Sequence, residues 1–173
     1  MEAIIVAGIV MVGSAMAIPL TTRMIRDAKG DSSSVMVATF INSARNRAVS
    51  ERRNVQLTFL PPDRIRLERI EVPSGTLTIV GELQLEGNQE LLKDGAMPDT
   101  PDAFGDADAF SFTGPTPVMF TSDGSLIDSA GDPTNGTIFL ERPDFPETAR
   151  AVTISGVTGM LRTWKWRGSE WLQ

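Results

Sequence analysis

The chain contains no cysteine and no histidine. Without cysteine there is no disulfide, no thiolate nucleophile and no thiolate metal site. Without histidine, imidazole general bases and the usual zinc sites are also excluded. Tyrosine is missing, while Trp164, Trp166 and Trp171 crowd the last ten residues. A basic balance is missing as well: net charge is −6, which argues against general affinity for nucleic acid. No low-complexity tract or internal repeat occurs, and no nucleophile elbow, phosphate loop or metal motif. The expectation is a protein that is not an enzyme and has no resident cofactor. The 173 residues, 41 % of them hydrophobic, suffice for one domain with a core, plus an appendage.

The appendage comes first. "MEAIIVAGIVMVGSAMAIPLTTRMIRDAKG" carries no charge from Ala3 to Thr22, 20 residues that as a helix span about 30 Å, one bilayer core. Yet Glu2 sits at its tip, and a charge in lipid costs about 2.5–3.5 kcal/mol. A cleaved signal peptide would use Ala15-Met16-Ala17, but such peptides open with Lys or Arg, not Glu2. A plain anchor leaves Glu2 without a partner and tolerates Gly8, Gly13, Ser14 and Pro19 only where neighbours re-satisfy the backbone.

The segment resembles the N-terminal helix of type IV pilins and type II secretion pseudopilins. There a glutamate leads a long apolar helix, with a proline seventeen residues on, as Glu2 and Pro19 stand here in the context "AIP". The resemblance implies that Glu2 neutralises the amino terminus of a neighbouring subunit. It makes Glu2, Gly13, Ser14 and Pro19 assembly residues, with local melting from Gly13 to Leu20 outside lipid. It also implies prepilin processing, N-terminal methylation, and roles in motility or adhesion. Only Met1 precedes Glu2 in this numbering, where the family has a basic leader and a Phe-Thr-Leu-like start, so the processing site is not mapped.

Beyond Thr22, Val35, Ala38, Phe40, Ile41, Ala44, Ala48 and Val49 recur at helical spacing. The expectation is a helix over 1–53: a membrane and filament-core part over 1–28, a bend or break at Gly30-Asp31, and an amphipathic part over 32–53. Ser32, Ser33 or Ser34 would cap the restart, and Asn54 the left-handed end. From residue 54 the period changes to two. "VQLTFL", "RIRLERIEV", "TLTIVGELQLEG", "PVMFTSDGSLI", "GTIFLERP", "ARAVTISGVTG" and "MLRTWKWRG" read as short strands. A phase slip at Glu68-Arg69 marks a bulge. The helix end "SARNRAVSERRNVQLTF" and the closing "RAVTISGVTGMLRTWKW" resemble the GspH/FimT type of pseudopilin. The fold class expected is α+β: a long N-terminal α-helix packed on an antiparallel β-rich domain of two sheets over 54–173, with an acidic loop at about 93–115.

Three smaller features remain. Asp94, Asp99, Asp102, Asp106 and Asp108 could offer oxygens to calcium, but they lack the bidentate-Glu pattern and read better as a solvated loop. Asn135-Gly136-Thr137 matches a glycosylation sequon. The tail alternates Arg162, Lys165 and Arg167 with Trp164 and Trp166, a pattern that can stack bases and grip phosphates. Strand alternation favours an inward tryptophan pair behind a solvated basic edge instead. The expected role is a structural filament subunit, the abundant one rather than a minor one. Its partners are copies of itself, other pilins and the inner-membrane assembly platform. Its location is the inner membrane of a bacterium, then a periplasmic or extracellular filament. The alternatives are a minor tip pilin binding DNA or a surface, and a membrane-anchored periplasmic domain.

Overall fold

The computed structural model describes residues 2–173, with side chains from Thr21 onward. One helix, α1 (Glu2–Glu51), precedes ten strands: β1 (Val55–Leu60), β2 (Arg64–Ile70), β3 (Leu77–Gln84), β4 (Phe110–Phe112), β5 (Val118–Phe120), β6 (Leu126–Ile127), β7 (Gly136–Arg142), β8 (Phe145–Ile154), β9 (Leu161–Trp166) and β10 (Trp171–Leu172). They form two antiparallel five-stranded sheets, ordered β3-β2-β1-β5-β6 and β10-β9-β8-β7-β4. The fold class is the expected one. Among the described residues no helix is long and apolar enough to cross a membrane. The side chains of Glu2, Gly13, Ser14 and Pro19 lie outside the described residues, and with them their expected assembly roles and the expected melting from Gly13 to Leu20 outside lipid.

α1 does not break at Gly30-Asp31; it runs through. Gly30 is a site of close approach: a Cβ there would meet the Thr148 carbonyl at 2.8 Å. Ser34 caps no restart but donates back to the Asp31 carbonyl at 2.8 Å. The buried stripe is Gly30, Ser33, Ser34, Val37, Ile41, Ala44 and Ala48, at spacings of three and four. Val35 and Val49, expected on that face, point to solvent. The stripe's small residues let the helix sit close to both sheets. The helix ends at Arg52, not Asn54: Arg52 takes φ +51°. The Arg53 amide then reaches back to the Ala48 carbonyl at 3.2 Å, a Schellman closure.

The main core lies between α1 and the two sheets. It joins Val37, Ile41, Ala44 and Ala48 to Val55, Leu57, Ile65 and Leu67 of one sheet and Ile138, Leu140, Val152 and Ile154 of the other. The β2–β3 pairing shifts register between Leu67 and Glu68, one residue before the phase slip at Glu68-Arg69 in the sequence.

The second sheet is buried on both faces. Strand alternation turns Phe139, Ala149, Ala151, Trp164 and Trp166 away from the helix, and they join Met97 and Trp171 in a second core. The segment expected as a solvated acidic loop covers this core. Its Met97 is buried, and the Trp171 indole donates to the Pro98 carbonyl at 3.0 Å; just before it, Leu91 joins the main core, and Glu90 and Glu141 exchange backbone hydrogen bonds. The segment's end, Phe110–Phe112, is strand β4 paired with β7. Apolar residues among the aspartates drive this docking, since each buried side chain of that size contributes about 1.5–3 kcal/mol.

Beneath that segment Glu141 is 4 % exposed and accepts the Asp94 amide at 3.1 Å. Burial pushes its carboxyl up to about 6. A raised folded-state pKa gives stability that is full below the unfolded value and lost as pH rises through about 6. Glu141→Gln is therefore expected to flatten the pH dependence of stability between about pH 4.5 and 6 and to raise stability at pH 7 by about 1–2 kcal/mol. Urea unfolding of both proteins across that range checks it; a variant less stable than the parent at pH 7 would refute it.

Candidate functional site

Asp27 and Asp31 stand four residues apart on α1 and so share one helix face. Gly30 between them leaves that face open for β8. Into the opening goes Arg150, on the helix-facing side of β8 with Val152 and Ile154, and only 1 % exposed. Its Nε donates to Asp31 Oδ1 at 2.7 Å. Its Nη2 donates to Asp27 Oδ1 at 2.5 Å and to the Asp27 carbonyl at 3.0 Å. Its Nη1 donates to the Ala149 carbonyl at 2.8 Å. Lys165 of β9 completes the clasp, with Nζ 2.7 Å from Asp27 Oδ2 and 3.0 Å from Asp31 Oδ2. Every carboxylate oxygen of the pair is thus matched to a cation. Burial pushes the Asp27 carboxyl up, but hydrogen bonds from Lys165 and Arg150 outweigh it and hold the group below its usual value.

Beside the clasp, α1 and the β9–β10 end form an open cleft of about 400 Å³, lined by Arg23, Met24, Asp27, Lys165, Trp166 and Arg167 among others. Arg26 lies next to it, 3.6 Å from Glu147 and stacked over the Phe145 ring at 4.4 Å. The arrangement fixes the direction of a long rod relative to a β-domain.

Such a rod rigidly seated on two antiparallel sheets is what the comparisons with known proteins also return. The family model for the type II transport protein GspH matches residues 36–159, from the second half of α1 through β8. The chain belongs to the GspH family. Its fold is that of the type IV minor pilin FimU from Pseudomonas aeruginosa, with TM-score 0.52 at 16 % identity over 83 % of this chain and 97 % of that one. It is also that of the minor pseudopilin EpsH from the type 2 secretion system of Vibrio cholerae, with TM-score 0.50 at 13 % identity over 79 % and 97 %. No curated protein matches the sequence closely enough to count as a relative.

This GspH-family chain splits the basic and aromatic tail among three surroundings. Arg162 lies on the far side of the second sheet, 2.5 Å from Asp102. Lys165 is not a solvated edge residue but part of the clasp. Arg167 is exposed in the turn to β10. Trp164 and Trp166 are buried in the second core, and the Trp164 indole donates to Thr153 Oγ1 at 3.1 Å. The five loop carboxylates do not converge. Asp94 accepts the Ala96 amide, Asp99 accepts the amides of Thr100 and Gly105, Asp102 takes Arg162 and Thr153, Asp106 caps the Asp108 amide, and Asp108 is exposed. Among the described residues no cluster of acids could hold a metal. The sequon residue Asn135 accepts the Gly156 amide at 2.8 Å, and Thr137 is wholly buried. Of the helix-end arginines, Arg45 donates to the Gly124 carbonyl and Arg47 to the Val80 carbonyl, within the chain.

Arg150 is the residue that sequence reasoning missed. The available signal was its place on the apolar face of a strand, two residues before Val152, where an arginine needs a partner. Removing one member of a buried ion pair costs about 3–5 kcal/mol; here both carboxylates reach solvent, so about 3 kcal/mol is expected for Arg150→Met. Because the Asp27 carboxyl is held low, its contribution is full above the unfolded value near pH 4 and lost as pH falls below it. Denaturation of the full chain in detergent at pH 7, 5 and 3 should show Arg150→Met much weaker at pH 7 but less sensitive to acid than the parent. Equal acid sensitivity would mean that the clasp does not carry that stability.

Proposed function

We propose that the chain is a structural subunit of a type IV pilus-like or type II secretion filament, held in the inner membrane before assembly and in a periplasmic or extracellular filament afterwards. The observation that carries this reading is the unbroken helix α1, clasped to the β-domain by Arg150 so that the apolar run Ala3–Thr22 projects on a fixed line. Family membership supports the same role, and with it a structural rather than enzymatic one. Assembly is driven by re-burial of the rod as it leaves lipid for other rods. At about 25 cal/mol per Å², a few hundred Å² per contact contributes several kcal/mol before association costs. Glu2 is the docking residue: pairing with a neighbour's amino terminus offsets its burial and sets the register. Pro19, Gly13 and Ser14 weaken the rod where it must adapt to its neighbours.

The two structural neighbours are a minor pilin and a minor pseudopilin, which supports a minor role over the abundant one expected from sequence. The DNA-binding alternative has less support, because Arg162, Lys165 and Arg167 do not share a surface and the tryptophans are covered.

In the bacterium that makes the chain, Glu2→Ala is expected to lower its recovery in sheared surface or periplasmic filaments at least tenfold while leaving the membrane-bound amount unchanged. Immunoblots of the two fractions measure this. Incorporation of the variant at the parent level would favour the reading as a plain membrane-anchored domain.

A further inference from the structure

The cleft beside the clasp sits at a defined height on the rod. If the 20 uncharged residues Ala3–Thr22 fill the hydrocarbon core, the headgroup layer above them is about 5–8 Å thick. At 1.5 Å per residue, that layer takes roughly the next four or five positions of α1. These are the positions that carry the helical wall of the cleft: Arg23, Met24 and Asp27. The facing wall comes from Lys165, Trp166 and Arg167.

Charge selects the occupant. Asp27 and Lys165 neutralise one another on the floor, and Glu147 on the rim faces Arg26. Arg23 and Arg167 stand on opposite walls, both exposed, with no ion pair to any described residue. The cleft is therefore net positive in a chain whose net charge is −6. Exposed apolar side chains stand beside these charges on the helix: Met24 is 72 % and Ile25 51 % exposed. A cationic notch next to exposed aliphatic side chains on the same helix suits the boundary between headgroups and acyl chains.

We propose that this cleft binds the phosphate of an anionic phospholipid in the leaflet from which the β-domain projects, with Arg23 and Arg167 gripping it from two sides. The proposal rests on the reading of Ala3–Thr22 as the membrane segment. Lipid would then hold the domain against the bilayer until extraction, when the phosphate stays behind and the cleft becomes free.

The full chain, reconstituted into phosphatidylcholine vesicles with rising fractions of phosphatidylglycerol and a trace of headgroup nitroxide lipid, tests this through quenching of tryptophan fluorescence. Trp166 lies in the cleft wall, so quenching is expected to rise with phosphatidylglycerol and saturate. Each of R23Q and R167Q should weaken the apparent affinity roughly fivefold, as about 1 kcal/mol per surface cation implies. R23K/R167K should keep most of it. Several results would overturn the proposal. Quenching indifferent to phosphatidylglycerol in a chain that floats with the vesicles removes the site and leaves the anchor. Competition by millimolar inorganic phosphate makes it a free-anion site. Dependence on protein density rather than lipid charge makes the occupant a second copy. A chain that floats with neither vesicle type sinks the membrane reading and the site together.

Discussion

A fully buried guanidinium between two helix carboxylates is the constraint on which the geometry depends. Arg150 is 1 % exposed, and an uncompensated charge at that depth is not tolerable. Only a helix bringing Asp27 and Asp31 onto β8 satisfies it, and only a glycine at position 30 lets that helix come close enough. The apolar stripe from Val37 to Ala48 supplies most of the burial energy, but burial is non-directional. The fork of Arg150, with its fixed donor directions, converts a greasy contact into one register and one angle. A one-turn slide of α1 would cost the arginine one of its two carboxylates, setting it against Arg23 or Val35 instead.

The rest of the β-domain supports that contact from behind. β8 and β9 carry Arg150 and Lys165 on one side and Ala149, Ala151, Trp164 and Trp166 on the other. The tryptophans, Met97, Phe139 and Trp171 keep the sheet stiff because both of its faces are packed. Phe139 and Trp171 meet with ring centroids 5.8 Å apart, and Trp166 and Trp171 at 5.2 Å. The segment over this second core is acidic because its outer side remains in water, and its aspartates are spent on local amides and on Arg162. Composition alone shows that acidity; it does not show that the same segment carries a buried inner side.

Most strands, a bulge within one residue of its place at Leu67-Glu68, and the change of period at residue 54 are legible from sequence, since alternation follows directly from strand geometry; the three-residue β4 and two-residue β10 are too short to show it. So is the helix, because its apolar spacing persists over many turns. Gly30 is not legible. A glycine inside a helical pattern weakens it by about 1 kcal/mol, and pattern alone does not say whether the cause is a break or a neighbour pressed close. Assigning Val35 and Val49 to the buried face failed for a related reason. Their spacing fits a helical stripe, but the stripe that sits inside is set by Arg150, a contact made 119 residues away along the chain. The role of Lys165 was hidden likewise, because a basic residue in an exposed-looking tail carries no mark of the carboxylates it will meet.

On the proposed role, the place where the joint between rod and domain would work explains why it is ionic rather than apolar. Apolar side chains there would partition into the bilayer beside a rod that is itself apolar, and would drag the domain's edge with them. Charges at the joint resist that, since immersing them costs several kcal/mol each. Matched to each other, they cost the folded protein little in water. On the proposed reading the clasp would hold the domain at the membrane surface while keeping it out, and it would need no rearrangement as the rod passed from lipid into a bundle of other rods. A hydrophobic joint of equal strength would make the membrane-bound and assembled forms compete for the same surface. An ionic one lets the rod alone decide between them.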